Sequence, residues 1–209
     1  MGYQWTWSVF LQPANGRETY LDWLLAGMWT TVQMGTLGWV IAFILGSVLG
    51  VMRTVPNRLL SAIAVTYVEI VRNVPLIVQL FLWYYVVPKF LPDTWRSWLF
   101  AQPPATTAFV TATIGLGVFT AARVCEQVRA GIESLPTGLR NAALSMGFTL
   151  PQAYRYVLLP VSYRLIVPPM TSEMLSIFKN SSIAATVGVF ELFARARQLN
   201  DYTARGYES

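Results

Sequence analysis

From Trp23 to Met52 the sequence runs thirty residues without an acidic or basic side chain. An α-helix needs only about 20 apolar residues to cross a hydrocarbon core about 30 Å thick. This stretch is therefore predicted to span a membrane, and the chain around it must fold in lipid as well as water. It is too long, and too poorly supplied with preceding positive charge, for a secretory signal: Arg17, Glu18 and Asp22 come before it, and no A-x-A-like site follows a short apolar core. Of the 209 residues 55% are hydrophobic and 12% are charged, against about 25% charged in water-soluble chains. Such a composition excludes a disordered linker, a collagen-like fibre and an acidic solvated tail.

Several chemistries drop out as well. Histidine is absent, which removes the commonest general base, the commonest transition-metal ligand and every triad that needs an imidazole. Cys125 is the single cysteine, so no intrachain disulfide framework or cysteine cage can form. There is no GxxxxGK[ST] phosphate loop to hold a nucleotide, and no catalytic residue, metal site or cofactor is expected. The net charge of +5 comes from fifteen Lys and Arg scattered along the chain. With no basic run, anionic lipid headgroups explain them better than nucleic acid does.

Beyond Met52, Arg53, Pro56, Asn57 and Arg58 make a compact polar turn. The next apolar region, Leu59 to Pro88, contains Glu69, Arg72, Asn73 and Pro75. Ionisable groups at membrane depth face a partner or a wet cavity, and Glu69 and Arg72, three apart, are placed to pair with each other. Pro75 pushes Val74 toward extended geometry, so the helix is expected to kink or break there. Residues 88–104 read as an interfacial loop with an aromatic belt of Trp95 and Trp98, matched by Trp5 and Trp7 near the start. Ala105 to Ala122 is an uncharged third span, residues 123–164 are amphipathic and basic, and Leu165 to Phe190, interrupted by Pro168 and Pro169, is a fourth span or a pair of half-spans. Gly46 and Gly50 form a small-xxx-small pattern suited to packing a partner subunit. The fold expected is an all-α polytopic transmembrane bundle of four spans, with residues 1–22 as an external or interfacial segment and 23–209 as the membrane domain. Basic residues are balanced seven against seven across the two sides. The short Arg53/Arg58 turn near the first helix favours an outside N-terminus.

The most specific pattern lies in the basic segment. Asn141-Ala142-Ala143, three residues, Gly147, nine residues and Val157-Leu158-Leu159-Pro160 resemble the EAA loop of the membrane subunits of ABC importers, whose pattern is Glu-Ala-Ala, three residues, Gly, nine residues, Ile-x-Leu-Pro. Residues 134–138 read as a helix-starting turn, Leu139 to Met146 as a short helix capped by Gly147 in the left-handed region, and Leu150-Pro151 as the next helix start. The segments Glu69 to Tyr85, Ala121 to Ile132 and Lys179 to Ala184 are similar to stretches of the polar amino-acid branch of the same family. Within that branch the chain is most like permeases for glutamate and aspartate.

The resemblance implies a bacterial inner-membrane, multi-pass subunit that pairs with a homologous second permease. It also implies a cytoplasmic ATPase dimer docked on a coupling helix within about 135–160, and an external solute-binding protein that delivers the amino acid. Arg140, Asn141, Ala142, Ala143, Gly147, Leu159 and Pro160 are the docking candidates. Asn141 stands where the family carries glutamate, which puts a carboxylate contact at that position in doubt. The chain also ends at Glu208-Ser209, where the family normally enters another hydrophobic span, so a truncated five-span subunit is expected. Candidate substrate residues are Arg123, a bidentate fork for a carboxylate, with Glu69, Arg72, Glu173, Lys179, Asn180 and Ser181. Glu69 with Arg72 reads first as a structural ion pair, Arg123 otherwise as a headgroup anchor, and the late-span group otherwise as polar packing. A permease for neutral or basic amino acids, an ion-coupled transporter and an intramembrane enzyme are the rival functions. The last has neither histidine nor paired catalytic carboxylates to work with.

Overall fold

The computed structural model describes residues 7–203. Trp5, Arg205 and the Glu208-Ser209 end lie outside them. Among the described residues the regular structure is helical, with nine α-helices. They are α1 Tyr20–Thr54, α2 Arg58–Asn73, α3 Leu76–Phe81, α4 Asp93–Phe100, α5 Pro104–Glu133, α6 Thr137–Ser145, α7 Leu150–Ala153, α8 Leu159–Asn180 and α9 Leu192–Thr203.

The uncharged stretch forms α1, whose 35 residues measure about 52 Å at 1.5 Å per residue, longer than a bilayer core. Its start is fixed by a reciprocal cap: Thr19 N donates to Asp22 Oδ2 at 2.8 Å while Asp22 N donates to Thr19 Oγ1 at 3.3 Å. The polar turn ends it as expected, with Asn57 Oδ1 accepting from Leu59 N and Leu60 N to cap α2. At Pro75 the helix breaks. Val74 is extended, at φ −103° and ψ 125°, and α3 restarts at Leu76. α1 and α5 are long and apolar enough to cross a membrane, and the broken pair from Arg58 to Phe90 qualifies as a third span if counted as one. Trp29, Ile44 and Val48 stay exposed along α1, as lipid-facing side chains do.

Three segments differ from the sequence reading. The belt region 88–104 holds a helix, α4, begun by Asp93 and showing Trp95 and Trp98 to the outside. The third span does not stop at Ala122; α5 continues to Glu133, which puts Arg123 well inside a helix. Pro168 and Pro169 do not split α8. They only leave the carbonyls of Arg164 and Leu165 without their intrahelical amides. Its 22 residues give a length of about 33 Å, although Arg164, Glu173 and Lys179 lie along it.

The chain divides into two compact units: unit 1 comprises Met1–Leu37, Ile77–Thr113 and Phe178–Ser209, and unit 2 comprises Gly38–Leu76 and Ile114–Ile177. α1, α3, α5 and α8 contribute residues to both. In unit 1, Tyr20, Trp23 and Leu199 form a small core, Tyr202 stands edge-on to Trp23, and buried Glu191 caps α9 by accepting from Phe193 N and Ala194 N. In unit 2 the core gathers Ala42, Ala121, Val124, Val128, Ile132, Leu135, Tyr154, Leu158, Ile166 and Met170. Two hydroxyls tie α1 to the C-terminal half: Tyr163 donates to Ser47 Oγ at 2.6 Å and Tyr154 to Thr54 Oγ1 at 3.2 Å.

The Gly46 and Gly50 pattern is used within the chain. A Cβ at Gly46 would lie 2.7 Å from the Ala121 carbonyl, and one at Gly50 2.9 Å from that of Cys125. α1 and α5 therefore approach backbone to backbone at this crossing, and both glycines are spent on it. Gly46→Leu should lower the thermal midpoint of the detergent-solubilised protein, since overpacking costs about 1–3 kcal/mol even without a backbone obstacle. Gly138→Ala, which meets nothing within 4 Å, is the control. Equal midpoints for the two variants would contradict this crossing.

Candidate substrate cavity and coupling segment

α5 turns Phe119, Arg123, Glu126 and Gln127 toward one side, as residues three, four, seven and eight apart on a helix must. Arg72 from the last turn of α2 and Glu173 from α8 complete a cavity of about 390 Å³ in unit 2. Arg123 Nη1 and Glu173 Oε2 are 3.5 Å apart, a loose pair, and the Arg123 guanidinium lies over the Phe119 ring at 5.3 Å. Glu126 is held on several sides. Arg53 pairs with its Oε1, Arg129 Nε donates to its Oε2 at 3.0 Å, and Arg72 Nη1 stands 3.8 Å from Oε1. Arg129 also pairs with Glu133.

Charge is thus distributed unequally. Glu126 is held closely by Arg53 and Arg129, so Arg72, 58% exposed and 3.8 Å away, keeps only a loose pairing with it. Arg123 and Glu173 face each other at a distance that a short zwitterion could bridge on both sides. The lining can hold two carboxylates and one ammonium without leaving a charge unpaired.

The expected Glu69–Arg72 pair is absent. Glu69 is exposed, lines no part of the cavity and forms no ion pair among the described residues. The i,i+3 spacing made the pairing possible, but α5 offers Arg72 a carboxylate from another helix. Arg72, Arg123 and Glu173 come together as candidates. Lys179, Asn180 and Ser181 belong to unit 1 and do not line the cavity. Lys179 is exposed, and buried Ser181 donates its hydroxyl to the Phe178 carbonyl at 2.7 Å. Sequence reasoning passed over Phe119, Glu126 and Gln127 as lining residues. The helical spacing from Arg123 was the signal that could have found them.

The segment proposed from the sequence as the coupling loop folds much as its spacing suggested. α6 starts at Thr137, two residues before the expected Leu139, behind the Pro136 cap. Gly147 ends it at φ +88°, with Phe148 N donating back to the Ala143 carbonyl at 3.2 Å and Gly147 N to that of Leu144 at 3.0 Å. Only glycine takes this conformation without strain. Thr149 and Gln152 form a capping box that starts α7, and a π turn at Tyr154–Leu158 leads into α8. Of the docking candidates, Asn141, Ala142, Gly147 and Pro160 are exposed, Arg140 and Leu159 are half-buried, and Ala143 is buried. Ala143 therefore seats α6 on unit 2, while Asn141, Ala142, Leu144 and Met146 face outward. Met146, the residue that caps α6, is 71% exposed.

Comparison with known proteins accords with this geometry. The family described as binding-protein-dependent transport system inner membrane component matches residues 42–206. The glutamate/aspartate import permease protein GltJ of Escherichia coli strain K12 is 54% identical over 211 aligned residues, covering 100% of this chain and 86% of that protein. The probable amino-acid ABC transporter permease protein PatM of Vibrio harveyi is 32% identical, over 100% of this chain and 86% of its own length. Among solved structures, the crystal structure of an amino acid ABC transporter with histidines superposes with a TM-score of 0.73 at 28% identity, over 90% of this chain and 83% of that one. With the helical bundle, the glycine-capped helix α6 and these relatives in agreement, the chain belongs to the family of inner-membrane components of binding-protein-dependent transport systems, the permease subunits of ABC importers.

Proposed function

We propose that this chain is the permease subunit of an ATP-driven importer for glutamate and aspartate. An external binding protein delivers the amino acid, and the chain forms half of the pathway with a homologous second permease in a bacterial inner membrane, which it crosses several times. An ATPase dimer seated on the outward face of α6, from Arg140 to Gly147, and bordered by Leu159 and Pro160, drives access from one side to the other. Residues 1–22 lie outside the membrane domain formed by 23–209. The observation that carries the substrate assignment is the lining of the unit 2 cavity, Arg72 and Arg123 with Glu173. In this reading Arg123 takes the α-carboxylate by its planar fork, Glu173 the ammonium, and Arg72 the side-chain carboxylate. Glu69, Lys179, Asn180 and Ser181 are left in supporting roles outside this contact set.

Two experiments separate the parts of this reading. In proteoliposomes holding the complete transporter, Arg72→Gln should depress glutamate uptake roughly tenfold or more, as loss of a charged hydrogen bond implies, and should weaken competition by aspartate more than by glutamine. Unchanged uptake would remove Arg72 from the site. For the coupling segment, Gly147→Val forces a branched side chain into the left-handed region and should abolish ATPase stimulation by the loaded binding protein. Met146→Asp should reduce ATPase co-purification. Normal coupling and recovery in both variants would place docking elsewhere.

A further inference from the structure

Unit 1 has a cavity of its own, about 320 Å³, lined by Thr30, Gln33, Thr106, Phe109, Phe190 and Arg195 among others. Gln33 is the one carboxamide in the thirty uncharged residues from Trp23 to Met52. Its side chain is exposed and opens onto the cavity beside Thr30.

Arg195, from the first turn of α9, is the unusual member. Its guanidinium lies between two aromatic faces, 5.3 Å from the Trp23 ring centroid and 4.8 Å from that of Phe190. Nη1 donates to Gln198 Oε1 at 3.0 Å, but Nε is buried without a hydrogen-bond partner. No carboxylate answers it among the described residues. Both oxygens of Glu191 are taken by the amides that open α9, and Glu18 Oε2 accepts from the Trp23 indole and from Asn15. Burial pushes the Arg195 pKa below its ordinary value, with the Glu18 charge acting the other way. The guanidinium is half-buried, and with no carboxylate paired to it among the described residues its charge is available to an anion in the cavity.

We infer that this cavity is a second binding station, in which Arg195, with Gln33 and Thr106 beside it, takes a carboxylate of a small dicarboxylic amino acid. The aromatic flanks hold the guanidinium plane in place, and the amide and hydroxyl supply the remaining hydrogen bonds. The identity of the ligand rests on the transport reading above. The station itself rests on Arg195, and none of its residues belongs to the unit 2 cavity.

The test is equilibrium binding of radiolabelled glutamate to the whole transporter in nanodiscs, together with mass spectrometry of co-purified phospholipid. Wild type should hold two glutamates per copy of this chain. Arg195→Gln should remove one, and Gln33→Leu, an apolar change suited to a spanning helix, should weaken the same one roughly tenfold. Arg123→Gln should leave it in place. Full glutamate binding in both the Arg195 and Gln33 variants would overturn the station while leaving the unit 2 reading intact. Binding lost with Arg195→Gln and untouched by Arg123→Gln would support the station and overturn the unit 2 assignment. An anionic phospholipid that leaves with Arg195→Gln while glutamate binding persists would show a lipid site and overturn the proposal.

Discussion

Arg53 at the end of α1, Arg72 at the end of α2 and Arg129 within α5 converge on the carboxylate of Glu126. No other interaction in unit 2 ties so many helices to one atom group. Arg53, Glu126 and Arg129 are each mostly shielded, so removing one would leave its partners' charge poorly answered. Their pairing holds the end of α1 against α5, and exposed Arg72 adds a looser tie from α2. The close approach at Gly46 and Gly50 does the same a turn or two away by shape alone. Charge pairing and packing thus hold the same helices in one arrangement, and the cavity lined by Arg72, Arg123 and Glu173 inherits its geometry from both.

The features legible in the sequence were those governed by local rules. The uncharged run required α1, Asn57 capped α2, Pro75 broke the helix, and Gly147 ended α6, because each depends on a residue's own backbone or on neighbours within one turn. Features that depend on a distant segment were not legible. Glu69 was as good a partner for Arg72 as Glu126 until the fold brought α5 alongside. Arg123 looked terminal because the apolar run ended before it, whereas α5 continues for ten more residues, carried by its own ion pairs Glu126–Arg129 and Arg129–Glu133. Gly46 and Gly50 announced a close helix contact, but nothing in the pattern said whether the other helix belonged to the same chain.

The split of candidates between the two units follows from the same limit. Arg123 and Glu173 are fifty residues apart and meet, while Lys179, only six residues beyond Glu173, belongs to the other unit. Sequence proximity along a helix longer than about 30 Å is a poor guide to shared chemistry. A polar residue's neighbours on facing helices decide its role.

In the proposed importer the same reasoning gives α6 its leverage. Ala143 is buried beneath it, and a cavity of about 290 Å³ below is lined by Arg53, Glu133, Leu135, Arg140 and Tyr154. Arg53 pairs with Glu126, which lines the candidate substrate cavity, and Tyr154 bonds Thr54 on the neighbouring residue of α1. The contacts beneath α6 therefore reach α1 and α5 through the side chains of Arg53, Glu126 and Tyr154. Such contiguity becomes coupling only if these contacts have two arrangements of similar energy. In the Glu126 cluster, Arg53 and Arg129 hold the carboxylate closely, and Arg72 stands off at 3.8 Å with room to approach. In the proposed importer, a closer approach of Arg72 to Glu126, which lines the same cavity, would neutralise part of the positive charge facing a bound acidic ligand.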